Sequence, residues 1–111
     1  MTMRSYSKTL TTDGSGDATD YTAATSGRVV GIHYTKNGTT PYANGVDFTI
    51  TNETTGETIW AQSNVNASVS VRPRLATHNN DYPALARHRI KIVVAQGGAS
   101  KIGAFLFVVD G

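Results

Sequence analysis

VDFTITNETTGETIW, residues 46 to 60, sets the period in which the rest of the chain is read. Val46, Phe48 and Ile50 alternate with Asp47, Thr49 and Thr51, so an extended backbone sends the apolar set to one side and the polar set to the other. Residues Glu53 to Gly56 close a hairpin, and Thr58-Ile59-Trp60-Ala61 returns. The three-and-four spacing of a buried helical face hardly occurs anywhere in the sequence.

Working outward, the same period recurs. Upstream, Arg28-Val29-Val30-Gly31-Ile32-His33-Tyr34 is β-branched and aromatic, stops at Asn37-Gly38, and is followed by a loop through Pro41 to Asn44-Gly45. Before it, Tyr6, Lys8 and Leu10 alternate with Ser5, Ser7 and Thr9 up to Asp13-Gly14-Ser15-Gly16-Asp17, whose glycines permit a tight reversal. Downstream, Val69 and Val71 continue a strand until Pro73 removes a ladder donor. Ile90 to Ala95 and Phe105 to Val109, either side of Gly97-Gly98, are the most apolar runs and are expected in the middle of the sheets. About eight antiparallel strands joined by Gly, Asn and Pro turns predict an all-β, single-domain β-sandwich of jelly-roll-like type over residues 1–111, with residues 1–12 available as an N-terminal arm.

The 111 residues suit one domain, which at this size buries about two-thirds of its unfolded surface. Without cysteine there is no disulfide framework, thiolate zinc site or cysteine nucleophile. Ten Lys and Arg against eight Asp and Glu leave a net charge of +2, too sparse a field for a nucleic-acid partner. No apolar run is long enough to span a bilayer, and the opening MTMRSYSKTL is not read as a secretory leader, so the expectation is a protein made in a cytosol with no membrane partner.

Chemistry is scarce. His78 and Asp81, with His33 or His88, do not follow a metal-ligand spacing, no serine lies in a Gly-x-Ser-x-Gly elbow, and the carboxylates are scattered. The glycine pairs lack the helix and lysine of a phosphate cradle. The expectation is therefore no enzyme activity, no metal and no cofactor. RPRLATHNNDYPALARHR, residues 72 to 89, stands apart, since it is long for a connection and holds four arginines. Arginine covers apolar surface with its stem and forks onto carboxylates, which makes Arg72, Arg74, Arg87 and Arg89, with Tyr82 beside Pro83, the candidate protein-contact residues. The alternative is a solvated loop whose arginines pair internally or face water. A second candidate contact is the arm around Met3, Arg4 and Tyr6, which could add to a neighbour's sheet edge.

Read in order, DGSGDAT (13–19), GRVVGIHY (27–34), YANGVDFTITNETTGETIW (42–60), SNVNAS (63–68), RPRLATH (72–78) and HRIKIVVAQGGASKIGAF (88–105) resemble the capsid decoration, or staple, proteins of epsilon-fifteen-like short-tailed phages. The resemblance covers most of the chain and departs at Asn79 to Pro83, where those proteins carry a longer insert. It implies a jelly-roll-like sandwich on the outer capsid surface of a virion, made in the bacterial host cytoplasm. It also implies a homodimer across capsid symmetry axes that clamps neighbouring copies of the major capsid protein. The rival reading is a carbohydrate-binding sandwich using Trp60 or Tyr42 as a stacking platform, or another virion accessory such as a connector or tail protein.

Overall fold

The alternation at residues 46–51 becomes strand β4 in the computed structural model, which describes residues 3–75 and 79–111. Nine strands follow the chain: β1 (Met3–Thr11), β2 (Ala18–Tyr21), β3 (Thr25–Lys36), β4 (Val46–Asn52), β5 (Thr58–Val65), β6 (Val69–Val71), β7 (Ala84–His88), β8 (Ile90–Ala95) and β9 (Ile102–Asp110). The β4–β5 hairpin is held by Asn52, 2% exposed, whose side-chain oxygen accepts from the backbone N–H of Thr54 at 3.0 Å and of Thr55 at 3.3 Å. Its amide nitrogen meets His88 Nδ1 at 2.8 Å, so each polar atom of this buried side chain has a partner.

Every pairing between named strands is antiparallel. One sheet has the order β1-β9-β3-β6, with β7 also on β3; the other has the order β2-β8-β4-β5. Apart from β4–β5 and β6–β7, successive strands thus change sheet, in the interleaved double Greek key of a jelly roll, as the strand pattern predicts. β8 and β9, the two most apolar runs, are interior strands of their sheets, as expected.

Between the sheets lie Phe48, Phe105, Phe107, Ile32, Ile50, Ile90 and Ile92, each fully buried. Phe48 crosses Phe105 edge-on at 4.9 Å and Tyr34 at 4.7 Å, and Tyr42 caps the cluster with its hydroxyl donating to the Leu10 carbonyl at 2.7 Å. Aromatic edges meeting faces in this way add to the transfer free energy of the rings.

At this end of the sandwich the two glycine reversals are stitched together. The Gly97 N–H donates to the Gly16 carbonyl at 2.8 Å, the Ala43 N–H to the Gly97 carbonyl at 2.9 Å, and Thr12 Oγ1 accepts from the Lys101 N–H at 2.8 Å. Gly16 has φ +84°, and a Cβ there would stand 2.9 Å from the Gly98 nitrogen, so this contact requires glycine.

Two strands were not visible in the sequence pattern. β2 is four residues long with no clean alternation of burial. β7 lies inside the stretch read as a long connection, and a bulge hides it: Thr25 faces His88 and Ser26 faces Ala86, leaving Arg87 unpaired with φ +58°. The N-terminal arm is, from Met3 onward, edge strand β1, paired along its whole length with β9.

Candidate functional site

In a two-layer sandwich a strand needs one apolar side. β9 has two: Phe105, Phe107 and Val109 are buried between the sheets, while Ala104, Leu106 and Val108 on the opposite side are only half-buried. That second row runs down the outer face of the five-stranded sheet. Register sets its neighbours: Ser5 and Gly31 flank Val108, and Ser7 and His33 flank Leu106. His33 in turn faces Ser70, and its Nδ1 lies 2.8 Å from Ser70 Oγ.

Part of this face sinks into an open hollow of about 350 Å³ lined by Met3, Val30, Gly31, His33, Ser70, Val71, Arg72 and Val108. Its depth comes from β3. The β3–β9 register slips between Val29 and Gly31, so Val30 is an extra residue in a bulge, and the next position carries no side chain. Bulges re-aim side chains, and a strand glycine often marks close approach by another molecule. A Cβ on Gly31 would find His33 Nε2 and Val108 Cβ at 3.6 Å, ordinary contact distance, so nothing inside the fold demands glycine there. Met3, on the rim, is 62% exposed and is the one exposed large hydrophobic residue among those described.

The residues singled out in the sequence fall into distinct places. Met3 and Arg72 meet at the hollow. Arg72 is exposed and, among the described residues, makes no hydrogen bond, ion pair or ring contact. Arg74 is engaged with Tyr82: its guanidinium lies 3.7 Å from the ring centroid, donates to the hydroxyl at 2.7 Å, and also donates to the Asn80 carbonyl at 3.0 Å. Arg89 forks onto Glu53 and covers the Tyr21 ring at 4.2 Å, and Glu53 holds its guanidinium above the ordinary value. Arg87 is exposed on the β7 bulge, where its N–H donates to Ser26 Oγ at 3.0 Å.

On β1, Arg4 is exposed opposite Val109. The Tyr6 hydroxyl bonds Thr25 Oγ1 at 2.7 Å, which lowers its pKa. His78 lies outside the described residues; His88 is occupied by Asn52, and no three His, Asp or Glu side chains gather to hold a metal among the residues described.

Both candidate stacking rings are tied into the interior. Tyr42 is 3% exposed, and the half-buried Trp60 packs 5.9 Å from Phe48. Among the described residues no aromatic side chain is exposed. Gly31, His33, Ser70 and Val108 escaped the sequence reading of the site. Their signal was a glycine within a β-branched run and an apolar run at 105–109 with no polar alternate.

No family model matches this chain, and no curated protein matches it in sequence. Solved structures match its fold. FlhE is similar at 6% identity and a TM-score of 0.53, covering 98% of each chain. The lectin-binding domain of Lectinolysin, solved as a His 62 mutant with Lewis b, is similar at 13% identity and a TM-score of 0.51, covering 93% of this chain and 71% of that one. A subunit of the Bacillus endospore appendages, a family of disulfide-linked pili, is similar at 18% identity and a TM-score of 0.51, covering 97% and 84%. Likeness at these identities extends to the fold.

Proposed function

We propose that this chain is a non-catalytic binding module, and that its partner is a protein lattice: it sits on the outer surface of a phage capsid and clamps neighbouring major capsid subunits. The reading rests on β9, whose outward Leu106 and Val108 leave an apolar stripe on a sheet over which the described residues place no third layer. The ordered sequence resemblance to capsid decoration proteins supplies the partner. The mechanism is linkage, since a module that binds the assembled shell and not free subunits lowers the free energy of the shell by an amount set by its affinity.

A homodimer would carry two such faces on one body, and the second contact would then form at high effective concentration. The nine-residue open edge of β1 offers a row of backbone groups for that pairing. The test is to mix the purified protein with shells that lack it and to measure co-sedimentation and rupture temperature. Retention and a raised rupture temperature are expected; a protein left in the supernatant with rupture unchanged sinks the clamp.

A second reading is a carbohydrate-binding module. It is favoured by likeness in fold to the lectin domain solved with Lewis b and to a Streptococcus pneumoniae fucose-binding module, the latter at a TM-score of 0.51. Of the two readings it is the one these neighbours support. Protein contact ranks first here because each half-buried ring is already covered: Tyr21 by Arg89, Tyr82 by Arg74, Trp60 by Phe48, with the Tyr6 hydroxyl on Thr25. The His33–Arg72 hollow itself has no Phe, Tyr or Trp ring in its lining for a sugar to stack on. Binding to a fucosylated glycan array with shifts confined to that hollow would move this reading to first place.

A further inference from the structure

We infer that the hollow on the outer face of the five-stranded sheet is a pocket for an acidic side chain: it takes an Asp or Glu, flanked by aliphatic residues, from an extended segment of the protein partner. This inference deepens the clamp reading and rests on it for the source of the segment. Three features meet at the hollow, and each has a separate origin in the sequence.

The first is charge. Arg72 stands one residue beyond Val71, which pairs with Ile32, and lines the hollow together with Gly31. Its neighbours in the arginine-rich stretch behave differently, because Arg74 is spent on Tyr82 and Arg89 on Glu53. Among the described residues no carboxylate lines the hollow. Asp110 lies two residues past Val108 on β9, with Met3 across from it on one side and Arg28 on the other.

The second feature is a fixed imidazole. Ser70 holds His33 Nδ1 at 2.8 Å, and the other ring nitrogen faces the space a Gly31 side chain would fill. When the Ser70 hydroxyl donates to Nδ1, Nε2 carries the hydrogen and presents a donor to the hollow. Arg72 and His33 then offer donors from two sides to one acceptor group. A carboxylate accepts from both, whereas an amide presents only one oxygen and brings an N–H₂ of its own.

The third is shape. The absent side chain of Gly31 and the bulge at Val30 open the floor, and Val108, Val71 and Met3 surround it with aliphatic surface. About 350 Å³ is the low end of ligand-pocket size, room for one side chain and parts of its neighbours. An aliphatic wall with two convergent donors matches Glu or Asp between Val or Leu residues.

The test has two arms. In the first, labelled protein is titrated with the N-acetylated, C-amidated peptide Leu-Glu-Val and with Leu-Gln-Val, and amide, His33 ring and arginine Nε resonances are followed. The Glu peptide should shift Gly31, His33 and Arg72 with an affinity at least about tenfold above the Gln peptide. Gly31→Val, which fills the floor, should remove the response while the melting temperature holds, with Gly31→Ala as the milder step. Equal response to both peptides, shifts elsewhere, or an undiminished response in a folded Gly31→Val protein overturns the pocket.

In the second arm, shells lacking the protein are incubated with wild type, Arg72→Gln and Gly31→Val. Loss of retention in both variants, about tenfold or more, supports the pocket. Wild-type retention matched by both variants overturns it and leaves the clamp standing. If wild type itself fails to bind shells, the clamp falls, and the peptide arm alone decides the pocket.

Discussion

Along β9 the outward positions are Ala104, Leu106 and Val108; along β8, its counterpart in the other sheet, they are Lys91, Val93 and Ala95. The flanks differ in the same sense. β8 is bordered outward by Thr19, Thr49 and Thr51, with Asp47 accepting from the Asn64 N–H at 3.0 Å and Arg89 lying over Tyr21. β9 is bordered by Gly31 and His33 on one side and small serines on the other, with Met3 at the rim. Water satisfies the first face as it stands. The second is apolar at its centre and bare of side chain beside it, so the buried row and the bare outward row share one strand, and a single run of sequence supplies both.

The sharpest way to break this comparison is to change β9 on its two sides. Phe107→Ala, which empties a site with no exposure, should cost about 3–5 kcal/mol in urea unfolding. Leu106→Thr with Val108→Thr should stay within about 1 kcal/mol of wild type yet lose retention on shells, while Val93→Thr on the opposite face should keep it. Equal destabilisation from the two sides of β9 would mean that the outward row is structural and not a contact.

Glycines give the next contrast. A Cβ at Gly103 would run into the Tyr42 ring, 2.7 Å from Cζ, and stand 3.0 Å from Tyr34, so Gly103→Ala should cost about 1–3 kcal/mol or more. At Gly31 the same change meets only ordinary contacts and should leave the midpoint of thermal unfolding almost unmoved.

Alkaline pH separates interior from margin. Burial pushes the Tyr42 phenol up from its ordinary 10.0, and Tyr34 the same way, whereas the Thr25 hydroxyl lowers Tyr6. A raised folded pKa means the stabilising contribution is complete below pH 10.0 and is lost as pH climbs from there through the folded value. Stability should therefore fall with rising pH, by up to about 1.4 kcal/mol per pH unit from Tyr42 and in the same direction from Tyr34, read from denaturant midpoints at increasing pH. Tyr42→Phe should flatten this limb, leaving the part due to Tyr34.

A small gain in stability is expected at Arg87. Its left-handed backbone costs about 1–2 kcal/mol, which glycine would relieve while losing more chain entropy on folding, so Arg87→Gly should raise the melting temperature by roughly 2–4 °C. Weaker shell retention alongside that gain would identify the arginine side chain as the reason the strain is tolerated.

How far the sequence carried the description follows from where each element keeps its partners. The β4–β5 hairpin was legible because alternation is local and its turn lies between the two strands. β8 and β9 were legible as interior strands because no polar residue interrupts their centres beyond Lys91. β7 was lost because one bulged residue destroys the period on which strand reading depends. The hollow was not legible at all as a place: residues 3, 30, 31, 33, 70–72 and 108 meet only once β1, β9, β3 and β6 have paired into one sheet. Arginine density singled out residues 72 to 89, but which arginine stays unengaged depends on where Tyr82 and Glu53 come to lie.

Met3 stands opposite Asp110 in antiparallel register. Tension applied between these two residues would therefore strain the β1–β9 rungs one after another and peel them at low force, as a zip opens from its slider. Load entering through the broad side of the same sheet is spread across several strands at once.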